Sequence, residues 1–129
     1  MEKKILLTAL LMGIIGIILG AFGAHGLKKI ISTEQLATFE VGVRYQIYHA
    51  MFLLFVVNTS FLTFKEKIIV FYLALAGVIL FSGSIYLLST SIITSIKTKI
   101  IGPLTPLGGL LLIASWSYMF YCVLLKNKI

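Results

Sequence analysis

The chain of 129 residues has room for one domain, residues 1–129, and 60% of it is hydrophobic while only 12% is charged. A soluble domain is about half apolar and about a quarter charged, so there is too little charge to cover a water-facing surface, and a soluble fold is excluded. The net charge of +7 does not point to nucleic acid, because the cations fall in short groups between apolar runs, where they anchor helix ends against head groups.

Crossing a hydrocarbon core of about 30 Å takes about 20 helical residues. Four apolar runs qualify, at about 5–24, 45–64, 68–89 and 104–125. They do not alternate apolar with polar residues, as barrel strands would. The expected fold is therefore an all-α membrane protein, a four-transmembrane-helix up-down bundle.

The first run follows Lys3-Lys4 and imitates a secretory signal, but from Ile5 to Ala24 it exceeds the about 7–15 residues of a signal core. It is read as a retained span. Its glycines Gly13, Gly16, Gly20 and Gly23 recur at helical spacing, and Gly16 with Gly20 makes a GxxxG pair. Such glycines let another backbone approach closely. Packing within the bundle is the first reading and self-association the second.

Between spans one and two, Ser32-Thr33 offers an N-cap. Glu40 and Arg44 stand four residues apart, a favourable helical pair, and Leu36, Phe39 and Val43 make an apolar stripe. A short amphipathic helix lying in the interface is expected, bending or running directly into span two. Lys65-Glu66-Lys67 reads as a tight charged turn before span three, and Thr90–Lys99 as a polar connection after it. Thr105-Pro106 reads as the cap and first turn of span four. The lone Cys122 is read as a packing residue.

Four spans put both termini on one side. The termini and the Lys65–Lys67 segment carry six Lys/Arg against five in the other connections, which tips the termini toward the cytoplasm.

Polar side chains are costly in a span, so their positions carry information. His25 closes span one; Tyr45, Gln46, Tyr48 and His49 open span two. Ser82, Ser84 and Tyr86 end span three, and Thr105-Pro106 with Gly108-Gly109 start span four. Alternating helix directions bring all of these to one end of the bundle. The opposite end has Asn58-Thr59-Ser60, with Trp116-Ser117-Tyr118 slightly deeper. The candidate binding residues are His25, Glu40, Arg44, Tyr45, Gln46, His49, Ser84, Tyr86 and Thr105. The histidines have three readings: a hydrogen-bonded pair joining loop one to helix two, part of a pocket for a small solute or lipid head group, or axial haem ligands. Two histidines at matching depth are necessary for the last and far from sufficient. No Asp is present, and Glu2 and Glu66 belong to the far end. No catalytic constellation is visible, and neither a cofactor nor a metal site is expected.

Gly20-Ala21-Phe22-Gly23-Ala24-His25-Gly26-Leu27, Tyr45-Gln46-Ile47-Tyr48-His49-Ala50, Phe81-Ser82-Gly83-Ser84-Ile85-Tyr86 and Thr105-Pro106-Leu107-Gly108-Gly109 resemble the YgdD-like family of small membrane proteins, domain of unknown function 423. The resemblance runs from Gly20 to Trp116. It implies a four-span fold in a bacterial cytoplasmic (inner) membrane and carries no activity. Pro103 stands where the family usually has a small residue, Ser115 where it has glycine, and the Ser91–Lys99 segment is longer than typical.

The expected function is that of a structural or accessory membrane component, acting through a protein partner or self-association in a homo-oligomer or larger complex. The alternative is a binding or transport module holding a solute or lipid head group by His25, Gln46, His49 and Tyr86. The expected partners include the lipid bilayer and no nucleic acid.

Overall fold

Ser32 and Thr63 each start a long helix in the same way. The Ser32 hydroxyl accepts from the Gln35 backbone N–H while the Gln35 side chain accepts from the Ser32 N–H; Thr63 and Glu66 repeat this reciprocal box. Each box satisfies two of the backbone donors that a helix start leaves unpaired.

A computed structural model describes residues 1–95 and 97–126. In chain order α1 is Glu2–His25, followed by a one-turn 3-10 segment, Leu27–Lys29. Next come α2 (Thr33–Asn58), α3 (Phe64–Ser89), two single-turn helices α4 (Ser91–Thr94) and α5 (Thr98–Ile101), and α6 (Leu104–Leu124). No strand occurs among the described residues. The four long helices pack in chain order, α1 on α2, α2 on α3 and α3 on α6. The outer two, α1 and α6, share no extensive contact, so the assembly is a curled row and not a closed square.

The boundaries correct the sequence reading in three places. Thr33–Arg44, the expected short amphipathic helix, is helical and runs directly into the second long helix as the first part of α2, the second of the two expected courses, but it does not lie in the interface. Its apolar stripe, Phe39 and Val43, is buried with Leu27 and Ile31, so it lies against protein and not along the interface. Lys65-Glu66-Lys67 is not a turn either, since the Thr63 cap makes it the start of α3 and moves the connection to 59–63. Thr105 caps nothing: α6 begins at Leu104 after Pro103, without a side-chain cap bond. The tail beyond residue 126 lies outside the described residues.

Three described stretches are long and apolar enough to cross a membrane: Glu2–Lys29, Phe64–Ser89 and Thr98–Leu124. The expected second span is not among them. α2 has the length, 26 residues or about 39 Å, but Glu34, Glu40, Arg44, Gln46 and His49 dilute its apolarity. Gln46 and His49 are buried against the neighbouring helices.

At the far end two lysines are paired with carboxylates. Lys67, 8% exposed, reaches Glu2 at 3.1 Å and the Val57 carbonyl at 2.9 Å; Lys126 reaches Glu66 at 2.9 Å. The buried apolar cluster beneath them includes Ile5, Leu53, Val56, Val70, Phe71 and Cys122.

Candidate functional site

Gly16 and Gly23 set the register between α1 and α2. A Cβ on Gly23 would meet the Phe39 ring at 3.2 Å, and one on Gly16 would meet Ile47 at 2.8 Å. Gly20 faces Val43 at ordinary contact distance. These three glycines lie close against α2 side chains. Gly13 does not, since a Cβ there would meet nothing within 4 Å. It opens on an apolar hollow between α1 and α2 beside Ile47 and Ala50.

This antiparallel register separates the two histidines. His25 lies near the level of residue 37 and His49 near that of Gly13, so about three helical turns, roughly 18 Å, divide them along the axis. His49 therefore sits near mid-bundle and not at the mouth. The hydrogen-bonded pair between loop one and helix two, and the paired haem ligation, both required a proximity that is absent.

Instead, His49 is held by α2 and α6. Its Nδ1 lies 2.7 Å from the Tyr45 carbonyl oxygen and its Nε2 3.0 Å from the Trp116 indole Nε1. A carbonyl can only accept and an indole N–H can only donate, so the partners fix a neutral imidazole with its proton on Nδ1. The Trp116 ring stacks on Phe52 at 4.1 Å and meets His49 edge-on. Along α6, Trp116 lies toward the other end from Thr105, and its long side chain closes the gap to His49; no local sequence signal marks it.

A second link crosses three helices. Tyr86 on α3 donates its hydroxyl to Gln46 Oε1 at 2.6 Å, and Gln46 Nε2 donates to the Met12 carbonyl of α1 at 2.8 Å. Both ends of the Gln46 amide are thus used. Beside it Ser82 donates to the Gly42 carbonyl at 2.7 Å. Gly42 makes this approach possible, because a Cβ there would meet the Tyr86 ring at 2.7 Å.

A third link joins α3 to α6 through Ser84 and Thr105, whose hydroxyls are 2.5 Å apart. Deeper, Ser115 donates to the Val70 carbonyl at 3.0 Å with no exposure. Gly77 lies against Leu112, and a Cβ on Gly108 would run into the Phe81 backbone nitrogen. No buried side-chain nitrogen or oxygen among the described residues lacks a partner.

Of the remaining candidates, Tyr45 shares a cleft with His49 and Trp116, while Glu40, Arg44 and His25 stand apart. Tyr45 is part-exposed and packs its ring on Phe81 at 4.9 Å and Tyr48 at 5.5 Å. Glu40 and Arg44 are exposed, and the ion pairs among the described residues do not include them. His25 is exposed beside Lys28 and Lys29. Between α2 and α6 runs a groove of about 530 Å³ lined by rings, among them Tyr48, Phe52, Trp116 and Phe120.

The family described as "Protein of unknown function (DUF423)" matches residues 19–109. The chain belongs to this family. A curated relative, the UPF0382 membrane protein YwdK of Bacillus subtilis, is 40% identical over 88% of this chain and 90% of its own length. The UPF0382 membrane protein of Haemophilus influenzae is 32% identical, covering 94% of each chain. The UPF0382 inner membrane protein YgdD of Escherichia coli is 32% identical over 98% of this chain and 95% of its own. No solved structure matches. The DUF423 match contains Gln46, His49, Tyr86 and Thr105, whereas Trp116, the α6 partner of His49, lies beyond it. This is a helical membrane protein of the DUF423 family.

Proposed function

We propose that this DUF423 protein crosses the bilayer four times, with α2 as the second crossing, and serves as a non-enzymatic structural or accessory component that packs against a protein partner or a second copy of itself. The reading rests chiefly on how the polar residues are used. Gln46, His49, Ser84, Tyr86 and Thr105 bond to one another and to neighbouring groups of the protein, so they brace the helices and leave no common polar pocket. Burying Gln46 and His49 also answers the cost that excludes α2 on composition alone, because intramembrane polar groups face the bundle interior. What remains outward on α1 and α6 is apolar, including Leu10, Ile14, Ile17, Leu110, Ile113 and Phe120. The location supported by the Escherichia coli relative, an inner membrane protein, is a bacterial cytoplasmic membrane; the six Lys/Arg of the termini and the Lys65–Lys67 segment against five elsewhere favour termini in the cytoplasm.

Extraction in mild detergent, followed by light scattering and mass spectrometry of what co-purifies, tests the partner reading. A species heavier than one chain with its detergent belt is expected. A clean monomer with no accompanying protein rejects it.

A further inference from the structure

α1 does not lose its helical course at His25. Gly26 keeps right-handed dihedrals (φ −74°, ψ −51°) and the chain passes directly into the 3-10 turn Leu27–Lys29. His25, Lys28 and Lys29, at i, i+3 and i+4, are therefore brought to one side. The opposite side of the turn is fixed: Leu27, 1% exposed, and Ile31 are buried with Phe39 and Val43 of α2. The two ammonium groups are thus carried on an anchored turn and not on a long loop.

Ala24, His25, Lys28 and Lys29 line a cleft of about 400 Å³. The ion pairs among the described residues, Lys67–Glu2 and Lys126–Glu66 at the other end of the bundle, include neither Lys28 nor Lys29. The cleft also has a defined height. The apolar run of α1 ends at Ala24 and the candidate span that contains it at Lys29, which sets the cleft at the border of the hydrocarbon, where lipid phosphates lie. Phe22 and Ile30 are exposed beside it, offering apolar surface to acyl chains.

We propose that this cleft binds a phosphate-bearing anion, and that its height makes the phosphodiester of an anionic membrane lipid the source. Lys28 and Lys29 supply two compact positive charges and His25 an imidazole for hydrogen bonding. The C-terminal dipole of α1 opposes an anion with about half a charge, and the two lysines outweigh it. The site is separate from the partner surface proposed above, so either can fail alone.

The test uses the purified full chain in a neutral detergent, with short-chain phosphatidylglycerol, short-chain phosphatidylcholine and inorganic phosphate as probes at equal concentration. Phosphatidylglycerol should raise the thermal midpoint, and the other two should not. K28Q/K29Q should weaken the effect about tenfold or more, K28R/K29R should retain it, and K97Q/K99Q, which removes the same charge elsewhere, should leave it intact. Circular dichroism checks that the variants stay folded, and H25Q/K28Q serves if K28Q/K29Q does not. Equal stabilisation by phosphatidylcholine, an unweakened K28Q/K29Q, or an equal loss in K97Q/K99Q overturns the site. Inorganic phosphate reproducing the whole effect overturns the lipid as its source.

Discussion

The indole N–H of Trp116 donates to His49 Nε2 at 3.0 Å, a polar bond between two helices that are not neighbours in the chain. Because the Tyr45 carbonyl holds the other ring nitrogen, the imidazole is clamped between α2 and α6 at mid-bundle. Trp116 is the only tryptophan, so its fluorescence reports this contact directly. His49→Leu should shift its emission to the blue as the indole loses its acceptor, while His25→Leu should leave the spectrum unchanged. Identical spectra for both would show that the bond is not made in the membrane.

The Tyr86–Gln46–Met12 chain predicts non-additive losses. Tyr86→Phe and Gln46→Leu should each lower stability by about 1 kcal/mol, the scale of interhelical hydrogen bonds in membranes. The double variant should lose less than the sum, since both changes break one shared bond. Thermal unfolding in detergent measures the cycle. Strict additivity would mean that the two side chains do not interact.

Among the glycines, effect should follow the space behind the missing side chain. Gly108→Ala puts a methyl against the Phe81 backbone, which cannot yield as a side-chain tip can. It should cost at least about 2 kcal/mol, in the range of overpacked cores. Gly13→Ala meets open space and should be neutral, or stabilising by up to about 1 kcal/mol from helix propensity. The reverse order of stabilities would contradict the α3–α6 packing.

The four crossings proposed above would place Thr33 and Lys65, near the two ends of α2, on opposite sides of the membrane. In a Cys122→Ala background, Thr33→Cys should react with an impermeant maleimide on intact cells. Lys65→Cys and Lys3→Cys should react only after the cells are opened. Labelling of Thr33→Cys and Lys65→Cys from the same side would remove α2 from the spans.

Glu66 serves two partners, accepting from the Thr63 backbone N–H and from Lys126. Glu66→Gln keeps an acceptor for the cap and loses the charge pair. The expected cost is about 0–1 kcal/mol, as for solvent-accessible ion pairs, and it should shrink as salt is added. A loss that is large and insensitive to salt would assign the stability to something other than the pair.

Composition alone determined that this is a helical membrane protein, because chain segments with so few charges cannot be covered by water and must satisfy their backbone groups internally. The family resemblance was legible as well, through four short motifs in order. Local chemistry also gave the Ser32 cap, although the same kind of signal failed at Thr105, where neighbouring Ser84 takes the hydroxyl. What tertiary structure decided was depth and partnership. The turn-and-cap register of α1 on α2 moved His49 three turns away from His25, and the reach of one indole brought Trp116 to it. Gly42 and Gly77 emerged as close-approach positions only once their opposing side chains and backbone were in place. A sequence records which residues are polar or small; helix register and side-chain length determine which of them meet.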